Sequence, residues 1–269
     1  MNKSIGILGC GWLGLPLAQK LLELGHHVSG TTTSAEKLER LRSHGISPFL
    51  VKLSEDGIEG DVNGFLSEID VLVINVPPAL RSNPNSDYVK KMELLNSEMK
   101  NHKIQHVLFV SSTSVYGNQE GEITEETKPE PETESGKQLL ASEQLFFDQT
   151  DFSTAVVRFG GLIGPERHPV YHLAKKERLK NGDELVNLIH LDDCIHMIVA
   201  IIENNYWEEI FNGVYPYHPT KRAYYIKEAK KRNLPNIKYT TSEVKNGKKC
   251  IISKNFLNKN YMFYTSIVS

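Results

Sequence analysis

Apolar runs of strand length alternate with stretches of helical spacing through the first half of the chain, the pattern of a parallel sheet with helices on its faces. It predicts strands near residues 3–8, 27–32, 48–53, 70–76, 106–111 and 153–159, with helices over 34–44, 86–102 and 135–149. After the first run, Leu13, Leu17, Leu21 and Leu24 recur at three- and four-residue spacing and mark one buried helical stripe. Pro16 falls early in that helix, where a missing N–H costs least. The crossover before Asp70 is short and carries Gly57, Gly60 and Gly64, so a loop is expected in place of a helix. Residues 118–134 form a polar, acidic, proline-bearing connection. Beyond Gly164 the apolar segments shorten and aromatic and basic residues multiply, which suits a smaller lobe covering a substrate.

The first strand runs directly into Gly9-Cys-Gly11-Trp-Leu-Gly14. Each glycine stands where a side chain would obstruct: Gly9 at a tight turn, Gly11 where backbone would meet a pyrophosphate, Gly14 where helix packs on strand. Phosphates would then rest on the helix N-terminus, where unpaired N–H groups and the dipole favour negative charge. Trp12 and Leu13 inside this turn, and Val76 at the end of the fourth strand, are expected to line the same dinucleotide. The expected fold class is α/β, a Rossmann-type doubly wound parallel sheet over residues 1–160 to which residues 184–204 return. A smaller C-terminal substrate-binding lobe is expected over 161–269.

Composition narrows the function classes. A formal net charge of −2 over 269 residues offers no general attraction to nucleic acid or anionic membrane. The basic run from Lys221 to Arg232 has helical spacing, is interrupted by Glu228 and comes with no nucleic-acid-binding motif, so a solvated helix face is expected. Cys10, Cys194 and Cys250 are odd in number, far apart and without metal-type pairing, and read as free thiols in a reducing compartment. The apolar run after Lys3 is broken by glycines and continues as a periodic helix, so it reads as neither a signal peptide nor a membrane span. The expectation is a cytoplasmic protein with a small-molecule substrate and no metal; a homodimer is left open.

The second strand bears on the cofactor. An NAD site usually places an acidic residue about 20 positions after the glycine turn, on the ribose 2′-hydroxyl. Here that place is Thr31-Thr32-Thr33-Ser34, followed by Lys37 and Arg40. Hydroxyls with a nearby cation suit a 2′-phosphate, which favours NADP over NAD. Ser34 also suits a plain helix cap.

The fifth strand ends in a run of hydroxyls, Ser111-Ser112-Thr113-Ser114-Val-Tyr116-Gly117, at the carboxyl end where open parallel sheets bind ligands. With the glycine turn, this run, Arg158-Phe-Gly-Gly-Leu-Ile-Gly-Pro165, Asn187-Leu-Ile-His-Leu-Asp-Asp193 and Phe211-Asn212 follow in an order that resembles the extended short-chain dehydrogenase/reductase superfamily, the nucleotide-sugar epimerases and dehydratases. The Gly-Cys-Gly-Trp-Leu-Gly opening and Gly164-Pro-Glu-Arg-His168-Pro169 look like its atypical bacterial YeeZ-like branch, whose members share the fold and generally lack the full catalytic set.

The resemblance implies that Ser112, with Thr113 beside it, holds the substrate oxygen where hydride leaves or arrives, and that Ser111 lies at the cofactor. It implies that Lys137 holds the nicotinamide ribose and lowers the pKa of a tyrosine four residues earlier, the proton donor or acceptor. That position is Thr133. A phenol titrates near pH 10 and can be tuned toward neutrality, whereas an aliphatic alcohol cannot serve as an anionic base there. Loss of general acid–base catalysis would cost typically about 10²- to 10⁴-fold without abolishing cofactor binding. The same stretch also fits a capping box, Ser135-Gly-Lys-Gln138, at the start of a helix. Arg158, Arg167, His168 and His190 are candidates to meet the substrate, and Tyr116, Tyr171, Tyr215 and Tyr217 are the phenols available to replace the missing one. Two functions follow: an NAD(P)-dependent oxidoreductase or epimerase-like enzyme acting on a carbonyl or sugar-nucleotide substrate, or a non-catalytic NADP-binding sensor or partner-binding module on the same scaffold.

Overall fold

The computed structural model describes residues 2–80, 83–240 and 248–267. In chain order the first half holds β1 (Ser4–Leu8), α1 (Gly14–Glu23), β2 (His27–Thr32), α2 (Leu38–Ser43), β3 (Ser47–Leu53), β4 (Ile58–Gly60), α3 (Val62–Leu66), β5 (Val71–Ile74), α4 (Tyr88–Met99) and β6 (His106–Ser112). The remainder holds β7 (Gly121–Ile123), α5 (Glu134–Phe147), β8 (Ser153–Phe159), β9 (Gly161–Ile163), α6 (Val170–Leu173), β10 (Leu188–His190), α7 (Leu191–Glu203), β11 (Glu209–Gly213), α8 (Lys221–Lys231), β12 (Lys249–Ile251) and α9 (Lys254–Asn258).

Eight strands form the central sheet in the order β11-β8-β6-β5-β1-β2-β3-β4, parallel except for β4, which pairs antiparallel with β3 at the edge. The order reverses beside β1, so the C-terminal ends of β1, β5 and β6 open on the crevice where such sheets bind ligands. The inner strands read as continuous apolar runs because both faces are covered, and every residue of β5 is buried. On one face α1 and α7 contribute Leu17, Leu21, Ile198 and Ile201 to the core. On the other, α3, α4 and α5 contribute Phe65, Met92, Leu95 and Phe146. A third apolar cluster, from Ile163 and Val170 to Tyr224, Tyr225 and Ile267, lies beside this sheet.

The six expected strands are present, with the fourth ending at Ile74. The crossover before Asp70 is not merely a loop. It holds β4 and the one-turn α3, whose N-cap Asp61 accepts the Gly64 N–H at 2.8 Å. The helix expected over 34–44 divides into a 3-10 turn, Ala35–Lys37, and α2. The connection 118–134 contains β7, which pairs in parallel with β12. α7 packs on the central sheet, β11 pairs with β8 at its edge, and Phe256 of α9 joins the same core. α8 buries Tyr224, Tyr225 and Ala229 and ties Lys221 to Glu184, so only part of its basic face is solvated. Cys10, Cys194 and Cys250 are free thiols. Among the described residues, no helix is long and apolar enough to cross a membrane.

Candidate functional site

The turn after β1 is fastened from three sides. Thr31 Oγ1 accepts the Gly9 N–H at 2.9 Å, the Thr31 carbonyl accepts the Cys10 N–H at 2.9 Å, and Asn75 Nδ2 donates to the Gly9 carbonyl at 3.0 Å. Gly9 has φ +103°, and a Cβ on it would stand 2.8 Å from the Asn75 carbonyl oxygen. A Cβ on Gly14 would collide with the Gly9 carbonyl oxygen, so α1 can follow the turn this closely only with glycine there. Gly11 differs from both: nothing lies within 4 Å of a Cβ built on it, and it is exposed. That open side, over the N-terminus of α1, fits a dinucleotide pyrophosphate. Leu13 is buried beneath the turn. Val76 Cγ1 lies 3.0 Å from a Cβ on Gly9, and the Val76 carbonyl accepts the Tyr88 hydroxyl at 2.8 Å.

Thr31, expected to face the cofactor ribose, is instead buried and spends its hydroxyl oxygen on the Gly9 N–H. Thr32 Oγ1 accepts the Ser34 N–H at 3.2 Å. Ser34 precedes the 3-10 turn in extended conformation without a side-chain cap bond, so the plain capping role does not occur. Lys37 lies exposed in that turn, so Ser34 and Lys37 remain a hydroxyl and a cation beyond β2, with exposed Thr33 and Arg40 on either side of them.

The hydroxyls ending β6 divide by face. Ser111, expected at the cofactor, points inward and donates to Glu143 Oε1 at 2.5 Å. Arg158, expected to meet substrate, is buried and donates to the same carboxylate from Nε at 3.1 Å and from Nη2 at 2.6 Å. Its Nη1 donates to the Tyr116 hydroxyl at 2.9 Å, and that hydroxyl donates to Asn212 Oδ1 at 2.9 Å. Tyr116 is therefore a fully buried strut rather than a replacement phenol; burial raises its pKa, against the lowering charge of Arg158. The reason is packing: an ion pair this deep must be satisfied on every side.

Ser112 stays at the surface of the crevice. Its Oγ accepts the Ser114 N–H at 3.2 Å and caps the 3-10 turn Thr113–Tyr116, and its own proton has no acceptor among the described residues. The start of α5 comes to the same turn, since a Cβ on Gly136 would stand 2.9 Å from the Ser114 carbonyl oxygen. Thr133 is the N-cap of α5, its Oγ1 accepting the Gly136 N–H at 3.1 Å. The capping box expected from Ser135 to Gln138 does not form: the cap is Thr133, two residues earlier, with Gly136 at the third helical position, and Gln138 instead accepts the Tyr88 N–H at 2.8 Å. Lys137 lies exposed in the first turn of α5.

The remaining candidates separate. Trp12 Nε1 donates to the Pro165 carbonyl at 3.2 Å, and the Arg167 guanidinium lies 4.7 Å from the Trp12 ring centre, which joins the loop after β9 to the glycine turn. His190 caps α7, its Nδ1 accepting the Asp192 N–H at 3.2 Å. His168, expected at the substrate, is buried with Nε2 3.1 Å from the Tyr224 hydroxyl and Nδ1 accepting the Val170 N–H at 3.1 Å. Burial, with the Arg232 charge adding to it, lowers its pKa to about 4. Tyr171 and Tyr217 are exposed and Tyr215 is half-buried.

Two polar groups at this crevice escaped the sequence reading. Asn75 could have been suspected as the first polar residue after a buried strand. Lys249, whose Nζ donates to the Gly117 carbonyl at 2.6 Å, has no local signal.

Residues 5–212 match the model of the NAD dependent epimerase/dehydratase family. The chain belongs to this family. It is 35% identical over 231 residues to Protein YeeZ of Escherichia coli K12, a match covering 85% of this chain and 83% of that protein. It is 23% identical over 220 residues to an uncharacterized UDP-glucose epimerase, YtcB, of Bacillus subtilis, covering 71% of this chain and 70% of the other. The family fold also superposes on UDP-glucuronic acid 4-epimerase from Bacillus cereus in complex with NAD, with TM-score 0.79 and 19% identity over 98% of this chain and 92% of that one.

Proposed function

We propose that this protein is a cytoplasmic NADP-dependent oxidoreductase or epimerase-like enzyme acting on a carbonyl-bearing small molecule of the sugar-nucleotide type. The observation that carries the reading is Ser112: its oxygen is anchored by the Ser114 N–H while its proton is left to donate to a substrate oxygen. Gly9, Gly11 and Gly14, with Trp12, Leu13 and Val76 around them, would hold the dinucleotide; Ser34 and Lys37 would receive a 2′-phosphate; Lys137 would reach the nicotinamide ribose. The cofactor supplies the hydride chemistry. The chain's own residues orient and polarise the carbonyl through Ser112 and Thr113. Arg167, standing over Trp12, is the cation placed to meet a substrate phosphate or carboxylate. The names of related proteins, a UDP-glucose epimerase and a UDP-glucuronic acid 4-epimerase with NAD, support the substrate class.

NADPH oxidation against a panel of simple carbonyls and UDP-sugars tests the reading. Ser112→Ala is expected to lower turnover more than tenfold while NADPH still binds; unchanged turnover would remove Ser112 from the chemistry. NADPH binding without turnover across the panel would instead support the non-catalytic module, the reading favoured by Thr133 being engaged as a helix cap. Tighter binding of NADH than of NADPH would overturn the cofactor preference.

A further inference from the structure

Thr133 cannot supply the proton that the proposed reaction needs, yet the turn beside it carries a cation from a distant part of the chain. β12 pairs in parallel with β7, Lys249 opposite Gly121, and this register brings Lys249 to the 3-10 turn that follows Ser112. Lys249 Nζ donates to the Gly117 carbonyl at 2.6 Å and lies 3.5 Å from the Thr113 carbonyl. An ammonium has three donors. Among the described residues the third finds no acceptor, and none of their carboxylates forms an ion pair with Nζ.

The same turn is where the start of α5 arrives. Gly136 packs on the Ser114 carbonyl, and a Cβ on Gly117 would lie 3.4 Å from Glu132 Cγ, one residue before Thr133. Lys249, Ser112 and the position lacking its tyrosine therefore converge on five consecutive residues, 113–117, from three separate elements.

We propose that Lys249 is the acid–base group of this site, giving its third proton to the substrate oxygen held by Ser112 and so doing the work that Thr133 cannot. The inference rests on the reading given under Proposed function. In the reducing direction one N–H bond of the ammonium breaks and one O–H bond forms. The carbonyl π pair moves to oxygen as its carbon takes a hydride from a reduced nicotinamide. Lys249 is left as a neutral amine and regains a proton from water; the oxidising direction is the reverse.

The groups around Nζ are consistent with that task. Glu132, ahead of α5, acts to raise its pKa, but burial outweighs it and holds Lys249 below the ordinary lysine value. The Tyr116 ring lies 6.0 Å from Nζ and carries Arg158 5.0 Å from its centre. Glu122 lies on the paired strand β7. A lysine whose charged form is disfavoured by burial is the kind that can both give and take a proton.

The test compares lysine reactivity rather than turnover alone. The protein is saturated with NADP⁺ or with NADPH, acylated briefly with acetic anhydride across a pH series, and the peptide bearing Lys249 is quantified by mass spectrometry. The oxidised nicotinamide ring is positive, so a lysine beside it loses its proton more readily. Lys249 is expected to react more than fivefold faster with NADP⁺ than with NADPH at a pH below its midpoint, while exposed Lys175 reacts equally in both. Equal rates at Lys249 overturn the proposal. Where a substrate of the panel turns over, Lys249→Arg, which keeps the cation but cannot give up its proton near neutral pH, is expected to lose more than 100-fold in kcat and to keep NADPH affinity within twofold; activity within threefold of wild type overturns it. Absence of NADPH binding to the wild-type protein would sink the underlying reading, and the proposal with it. Binding with equal acylation rates sinks the proposal alone.

Discussion

Thr133 Oγ1 accepts the Gly136 N–H at 3.1 Å, so the hydroxyl at the position expected for the superfamily's tyrosine closes the first turn of α5. Thr133 thus serves the fold as a helix cap. The same cap fixes Gly136 against the Ser114 carbonyl, next to the turn that carries Ser112.

Thr133→Ala should therefore act on stability and not on cofactor binding. Removing an N-cap hydroxyl costs roughly 1 kcal/mol, a shift of about 2–4 °C in Tm for a chain of this size. Thermal unfolding and NADPH titration of the variant check this together. A Tm equal to that of wild type would remove the capping role.

Arg158 and Glu143 form a buried pair with three hydrogen bonds between them. Breaking such a pair leaves an uncompensated charge in the core and costs roughly 3–5 kcal/mol. Glu143→Ala and Arg158→Ala should each lower the urea midpoint strongly, and the apolar double replacement Glu143→Leu with Arg158→Met should recover a large part of the loss. A double variant as unstable as the sum of the two singles would contradict this account.

His168 predicts an acid limb in stability. Its pKa is lowered to about 4 in the folded chain, against an ordinary value of 6.5. The unfolded chain therefore takes up the proton first as pH falls. The stability tied to neutral His168 is complete above about pH 6.5 and is lost progressively down to about pH 4, roughly 3 kcal/mol in all. Urea unfolding of wild type and His168→Gln at pH 7 and pH 5 reads the difference: the wild type should lose more on acidification than the variant. Equal losses would show that another group carries the limb.

Much of this arrangement is legible along the chain because parallel strands covered on both faces must be apolar throughout, as in Val71–Ile74 and Ser153–Phe159. The glycine turn is legible for a similar reason, since backbone contacts at Gly9 and Gly14 exclude side chains. Which face a polar residue takes is not legible in the same way. Ser111 and Arg158 look like crevice residues by position, and only the arrival of Glu143 from α5 turns them inward. Thr31 reads from its position as a hydroxyl for the cofactor, but its bond to Gly9 depends on how β1 and β2 are staggered. Lys249 lies beyond local inference, because β12 reaches Gly117 through a pairing between segments more than a hundred residues apart.

Gly11 separates cofactor binding from folding, since a Cβ on it meets nothing within 4 Å and its open side is where a pyrophosphate would lie. The most direct measurement is an equilibrium titration of NADPH fluorescence against wild type and Gly11→Val, with thermal unfolding of both. Saturable NADPH binding to the wild type, more than tenfold weaker in the variant at unchanged Tm, is the predicted result. No saturable binding to the wild type, or equal affinity in the two proteins, would contradict the assignment of this turn as the dinucleotide cradle.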